Sequence, residues 1–224
     1  MGLSIKYKNK IYAGVLGKMI GVYLGRPVEG WPYQSIRERF GEIPYYVHEE
    51  IDLPLIVADD DLSGTFAFFR AMEDNGFKRE LTAEDIGKTW LNYIIENRSI
   101  LWWGGMGNST EHTAYLNLKR GIPAPESGSM GQNGPVLSQQ IGAQIFMDAY
   151  AMMCPGDPEY ADYLVRACAG VSHDGIAVDA AGFLGAMEAA AFDESSLDKL
   201  FEQNIRFIRT EELKSLVHDV RNIC

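Results

Sequence analysis

The sequence predicts an all-α protein, folded as a single-domain multi-helix array. Three observations point there. Apolar residues recur at i, i+3 and i+4 through most of the chain, and strand signals are confined to two short stretches, 45–47 and 53–57. Pro155, Gly156 and Pro158 break one periodic run and begin the next. A chain of 224 residues suits one domain and can bury a core without disulfide staples.

The elements follow in order. Residues 8–24 carry Ile11, Tyr12, Val15, Leu16, Met19, Ile20 and Tyr23 on one helical stripe. Thr82, with Asp85 three residues on, reads as a capping box opening a helix whose apolar face is Ile86, Trp90, Tyr93 and Ile94. Residues 138–153 give Ile141, Ile145, Phe146 and Met152, and predict another helix. Pro155, Gly156 and Pro158 break it and start the next, which runs through Tyr160, Leu164, Ala167, Cys168 and Val171. The alanine-rich stretch 176–191 suits a tightly packed buried helix, and 196–208 and 211–220 predict two more. Glu211, Leu213, Leu216, Val217 and Val220 form an amphipathic pattern running to Cys224 with no Gly or Pro stop. The chain therefore reads as cut just after a helix, or as ending in a frayed terminal helix.

Composition excludes several functions. A net charge of −11 repels duplex nucleic acid, and no basic stripe offsets it. No apolar run reaches the ~18–20 residues that cross a bilayer. Residues 1–10 are polar and basic, unlike a secretory signal. Cys154, Cys168 and Cys224 are odd in number and form no CxxC pair, which argues against a disulfide framework or a zinc site. A reducing, cytoplasmic setting fits.

Five segments could carry chemistry. Gly14, Gly17, Gly21 and Gly25 share one face of the first helix and lead into the turn Arg26-Pro27-Val28-Glu29-Gly30. Each mid-helix glycine costs roughly 0.8–1 kcal/mol relative to alanine, so either a closely packed helix or a ligand should offset them. Glu29, on its turn, is a candidate base or a plain surface charge. Asp59-Asp60-Asp61 follows an apolar stretch and precedes a helix with Phe66, Phe69 and Met72. The run reads as an oxygen-ligand site for Mg²⁺, Mn²⁺ or Ca²⁺, or as an acidic cap favouring the helix dipole. Residues 128–134, Gly-Ser-Met-Gly-Gln-Asn-Gly, could cradle phosphate with backbone amides or form a surface loop. His173, beside Ser172, stands at a helix end next to a Gly-bearing turn. Trp102 and Trp103 could stack on a base or sugar, or pack in the core.

In this order the segments resemble the ADP-ribosylglycohydrolase family, from about residue 10 to 205. The family's LGxPxE is matched by Leu24 to Glu29, its Thr-Asp-Asp-Thr motif by Asp59-Asp60-Asp61, its GS-x-GNG-like loop by Gly128 to Gly134, and its Ser/Thr-His segment by Ser172-His173. Residues 140–146 and 155–159 are similar to one branch of that family. The resemblance implies an all-α fold with two divalent ions, Mg²⁺ or Mn²⁺, in a central cleft. It implies Glu29 and Asp60 as catalytic residues, and Asp59, Asp60 and Asp61 as metal ligands. It also implies Gly128, Ser129, Gly131, Asn133 and Gly134 as the diphosphate loop and His173 as ribose-proximal. The implied reaction is metal-dependent hydrolysis of the N- or O-glycosidic bond of ADP-ribose, or of a similar ribosyl group, on a protein or small-molecule acceptor.

The chain departs from the family in two places. The Thr-Asp-Asp-Thr pattern is broken, one hydroxyl having become a carboxylate or been lost, and Gln132 offsets the loop by one residue. The family's second acidic motif, Asp-x-Asp-Thr, is not found after residue 174, where Asp193, Asp198 and Asp219 stand alone. Residues 1–224 thus read as a family domain lacking its C-terminal part. The alternative is a non-catalytic ADP-ribose-binding or structural protein on the same fold.

Overall fold

A computed structural model describes residues 4–98 and 101–223, with the side chain of residue 223 left aside; Met1 and Cys224 lie outside the described residues. The helices are α1 (Ile5–Gly25), α2 (Tyr33–Phe40), α3 (Asp60–Phe69), α4 (Ala71–Asp74), α5 (Ala83–Tyr93), α6 (Thr110–Lys119), α7 (Met130–Asn133), α8 (Pro135–Ser138), α9 (Asp148–Met152), α10 (Pro158–Ala169), α11 (Gly175–Ala190), α12 (Leu197–Asn204) and α13 (Glu211–Ile223). No strand occurs among the described residues, so 45–47 and 53–57 are irregular turns rather than a ladder. No helix among them is long and apolar enough to cross a membrane.

The capping box forms as expected: Thr82 Oγ1 accepts from Asp85 N at 3.2 Å, and Thr82 N donates to Asp85 Oδ2 at 2.9 Å. Asp157 caps α10, accepting from Tyr160 N at 3.0 Å, with Pro158 at the first helical position. The core gathers α3, α5, α9, α10 and α11. Phe68 stacks on Trp90 with ring centroids 4.1 Å apart, and Tyr150 donates its buried hydroxyl to Phe68 O at 2.6 Å. The alanines of α11 (Ala177, Ala181, Ala186 and Ala189) are buried. Gly185 lets the Val165 side chain of α10 approach so closely that a Cβ would come within 2.6 Å of it. Cys154 and Cys168 are buried free thiols, each pushed up to about 12 by desolvation.

Two expectations are revised. The apolar stripe of α1 is not buried: no residue of that helix is, and Tyr12 is 70% exposed. The helix is instead tethered by polar side-chain tips. Tyr7 Oη donates to Met152 O (3.3 Å), Lys10 Nζ to Ala191 O (2.8 Å), and Lys18 Nζ to Asp148 Oδ2 (2.7 Å) and Ile145 O (2.9 Å). Of its glycines only Gly14 meets a close neighbour, the Met152 sulfur, while Gly17, Gly21 and Gly25 face open space.

The helix expected over 138–153 is broken into a 3₁₀ turn, Ile141–Gln144, and the short α9. Gly142 explains the break. Its backbone lies against the carboxylate of Glu111, where any side chain would collide, and Ile145 O accepts from Thr65 Oγ1 at 2.9 Å as well as from Lys18.

Candidate functional site

Asp59 takes an extended conformation and caps α3, its Oδ1 accepting from Asp61 N at 3.0 Å. Its other oxygen faces Arg26 Nη1 at 3.3 Å, and Arg26 also donates to Ala58 O at 3.2 Å. Asp60 and Asp61 occupy the first turn of α3, at the positive end of the helix dipole. Two hydroxyls stiffen this turn: Ser63 Oγ donates to Asp59 O and Thr65 Oγ1 to Asp61 O, each at 2.7 Å.

One carboxylate oxygen from each aspartate lies within 4.8 Å of the others. Burial, with the charges of Asp59 and Asp60, pushes Asp61 up to about 6. Desolvation also raises Asp60, with Asp59 and Glu29 adding to the effect. Asp59 is committed to its cap and its guanidinium, while Asp60 and Asp61 lack a direct positive partner among the described residues. Crowded, partly desolvated oxygens of this kind fit a hard divalent cation such as Mg²⁺ or Mn²⁺.

Glu29 ends the 3₁₀ turn Arg26–Val28, in which Pro27 is buried; the Glu29 amide donates to Arg26 O at 3.2 Å. The turn directs Glu29 across a cleft of about 320 Å³ shared with Asp59, Asp60 and Asp61, and α1 floors it with Gly21 and Gly25. The last two glycines of α1 therefore border the acidic cleft, whereas Gly14 packs against Met152.

The loop 128–134 is a second, separate structure beside the Ser172-His173 segment. Gly128 is buried against the backbone of Ser172 and His173, where a Cβ has no room. Ser129 caps α7, accepting from Gln132 N at 3.2 Å, and Met130 N donates to Asp174 Oδ2 at 2.9 Å. Asn133 is tied inward, accepting from Asn117 Nδ2 (2.9 Å) and donating to Ser127 O (2.8 Å). The amides of residues 128–130 and 132–134 donate within the protein. Gly131 is exposed, and Gly134 has a positive φ of 83° where α7 hands over to α8.

His173 is 2% exposed. Its Nδ1 is 2.7 Å from Ser172 Oγ, its Nε2 is 3.5 Å from Glu111 Oε1, and burial lowers its pKa to about 3, so the ring is neutral. Trp103 packs edge-to-face on His112, whereas Trp102 is half exposed.

Sequence reasoning missed Glu111. It lies in the first turn of α6 within a run, Ser109 to Thr113, whose five polar residues are all buried. Burial pushes its carboxyl up to about 7, with Asp60 and Asp61 contributing. Glu111 thus lies between the acidic run and His173. An all-polar run ordinarily signals a solvated face, and nothing in its composition marks this one as interior.

A family model described as ADP-ribosylglycohydrolase matches residues 3–223. No curated protein and no solved structure matches the chain. The matched span takes in the Glu29 turn, the acidic run, the glycine loop and the Ser172-His173 segment on one all-α frame, and the chain belongs to the ADP-ribosylglycohydrolase family.

Proposed function

We propose that this protein hydrolyses the N- or O-glycosidic bond joining ADP-ribose, or a similar ribosyl group, to a protein or small-molecule acceptor, using Mg²⁺ or Mn²⁺ held at Asp59, Asp60 and Asp61. The observation that carries the reading is the placement of Glu29 and the acidic run around one cleft, in a chain of a glycohydrolase family. A divalent cation bound there would polarise a ribose hydroxyl or a water molecule.

The chain's own groups do the rest. Glu29 accepts a proton from the attacking water or fixes the ribose. Asp59, Asp60 and Asp61 would hold the cation, and the carboxylates around the cleft would stabilise positive charge developing at the anomeric carbon. The 128–134 loop receives the diphosphate at its exposed Gly131 side, using dipoles instead of the basic side chains that an acidic protein lacks there. His173, buried and neutral, supports the ribose end through its backbone, against which Gly128 packs. The two buried thiols support a reducing, cytoplasmic setting.

Replacing Glu29 by Gln tests the catalytic assignment. Turnover of an ADP-ribosylated substrate with Mn²⁺ is expected to fall roughly 10²-fold. Unchanged turnover removes Glu29 from the reaction.

A second reading is a non-catalytic ADP-ribose-binding or structural protein. It is favoured by one observation: Asp59–Asp61 is the one cluster of three acidic ligands among the described residues. Titration with ADP-ribose, with and without Mg²⁺, separates the two. Metal-dependent affinity supports the hydrolase; indifference to metal supports the binding module.

A further inference from the structure

We propose that Glu111 is a positioning residue of the acidic centre, its buried carboxylate strengthening the hold of Asp60 and Asp61 on a divalent cation without being one of the gathered ligands; this rests on the metal reading above.

A glutamate in the first turn of a helix ordinarily faces water. Glu111 instead is nearly enclosed, which is expensive for a carboxylate unless something positive compensates it. Among the described residues no lysine or arginine lies within salt-bridge distance of it. Its one charged-type neighbour is His173, 3.5 Å away, which burial keeps neutral. The nearby carboxylates of Asp60 and Asp61 make matters worse, since all three repel one another. Glu29 and Asp59 add to that repulsion at the acidic run, where Arg26 on Asp59 is the direct counter-charge. Lys18 also moderates Asp61, but its ammonium is already bound to Asp148. The Ser109 hydroxyl and the Glu111 amide only partly stabilise the carboxylate, and a dication at Asp60 and Asp61 would offset the remaining repulsion.

The geometry is built rather than accidental. The Gly142 backbone lies against Glu111 Oε1, and a Cβ there would also come within 3.1 Å of His173 Cε1. Three residues on, Ile145 O accepts from Thr65 Oγ1, the same hydroxyl that binds Asp61 O. Next to it, the Phe146 ring fills the space left by Gly64, so closely that a Cβ would lie 2.8 Å from it. The segment 142–146 therefore braces Glu111 at one end and the first turns of α3 at the other. His173 Nδ1 lies 2.7 Å from Ser172 Oγ, and its Nε2, buried without a hydrogen-bond partner, lies 3.5 Å from Glu111 Oε1, so the ring packs beside the carboxylate. Glu111 is outside the group whose ligand atoms lie within 4.8 Å of one another. Its role is that of an outer partner, which typically changes metal affinity 10–100-fold.

The test is calorimetric titration of Mn²⁺ into the full chain, with thermal melting in EDTA. The wild-type protein is expected to bind Mn²⁺, Glu111→Gln to bind it at least about tenfold more weakly, and Glu111→Asp, which keeps the charge, to fall between them. In EDTA, Glu111→Gln is expected to melt at or above the wild-type temperature, because the amide is not repelled by Asp60 and Asp61. Mn²⁺ affinity of Glu111→Gln within twofold of wild type overturns the proposal. A Glu111→Gln protein that does not fold also overturns it, since the carboxylate would then be structural. Wild-type protein that binds no Mn²⁺ brings down the metal reading itself, and this proposal with it.

Discussion

Arg26 Nη1 lies 3.3 Å from Asp59 Oδ2, and this ion pair ties the turn that carries Glu29 to the residue that caps α3. The two halves of the proposed site come from distant segments, the end of α1 and the start of α3. The guanidinium is about one-third exposed, so its contribution to global stability is modest, while its contribution to geometry is local.

Replacing Arg26 by alanine is therefore expected to lower stability by no more than about 1 kcal/mol. Turnover is expected to fall about tenfold or more, because Glu29 loses its tether to the acidic run and small misplacements are costly. Urea denaturation and steady-state rates measured on the same protein check the pair. A large loss of stability with proportionate loss of activity would make Arg26 a structural residue only.

The glycine loop separates into a packed end and an open end. At Gly128 an added Cβ meets the backbone of Ser172 and His173, which cannot swing aside, whereas at Gly131 it meets only Ser129 Oγ at 3.8 Å. Gly128→Ala is expected to destabilise by about 1–3 kcal/mol. Gly131→Ala should change stability by less than about 0.5 kcal/mol, as at other open surface sites. Melting curves of the two variants decide it.

The pH dependence of stability without metal has a defined sign. Burial raises Glu111 from 4.5 to about 7 in the folded state. Between those values the folded chain keeps a proton that the unfolded chain has lost, so stability falls as pH rises through this window and levels off above it. Asp61, raised from 3.8 to about 6, acts in the same direction over its own window. His173, lowered from 6.5 to about 3, acts oppositely: below pH 6.5 the unfolded chain takes the proton, and stability falls on acidification. The wild-type profile sums these, and Glu111→Gln isolates one of them. In EDTA, the stability of wild type relative to Glu111→Gln is expected to drop by about 3 kcal/mol between pH 4.5 and pH 7. Denaturant titrations across that range measure it, and a flat difference contradicts the electrostatic account of Glu111.

Much of the fold was legible because its signals are local. The Thr82–Asp85 capping box, the Pro155–Pro158 break and the alanine run of α11 each specify a backbone state through their own chemistry. Burial was less legible. The stripe from Ile11 to Tyr23 gave the right helix but not its environment, because periodicity reports which residues share a face and not what covers that face. The broken segment after Ser138 was misread for a related reason. Ile141 and Ile145 have helical spacing, but the backbone at Gly142 is shaped by contact with Glu111, which is distant in sequence. The acidic run and Glu29 stood out as carboxylates beside turns. Glu111, inside the polar stretch Ser109–Thr113, did not, since its burial arises only when the 142–146 segment and His173 close over it.

Side chains 59 to 61 are proposed to gather their charge around a hard dication, which crystals soaked in manganese would reveal. An anomalous difference peak is expected next to the carboxylate oxygens of Asp60 and Asp61, on the side of the cleft facing Glu29. Well-ordered Asp60 and Asp61 side chains turned to solvent, with no such peak beside them, would contradict this proposal.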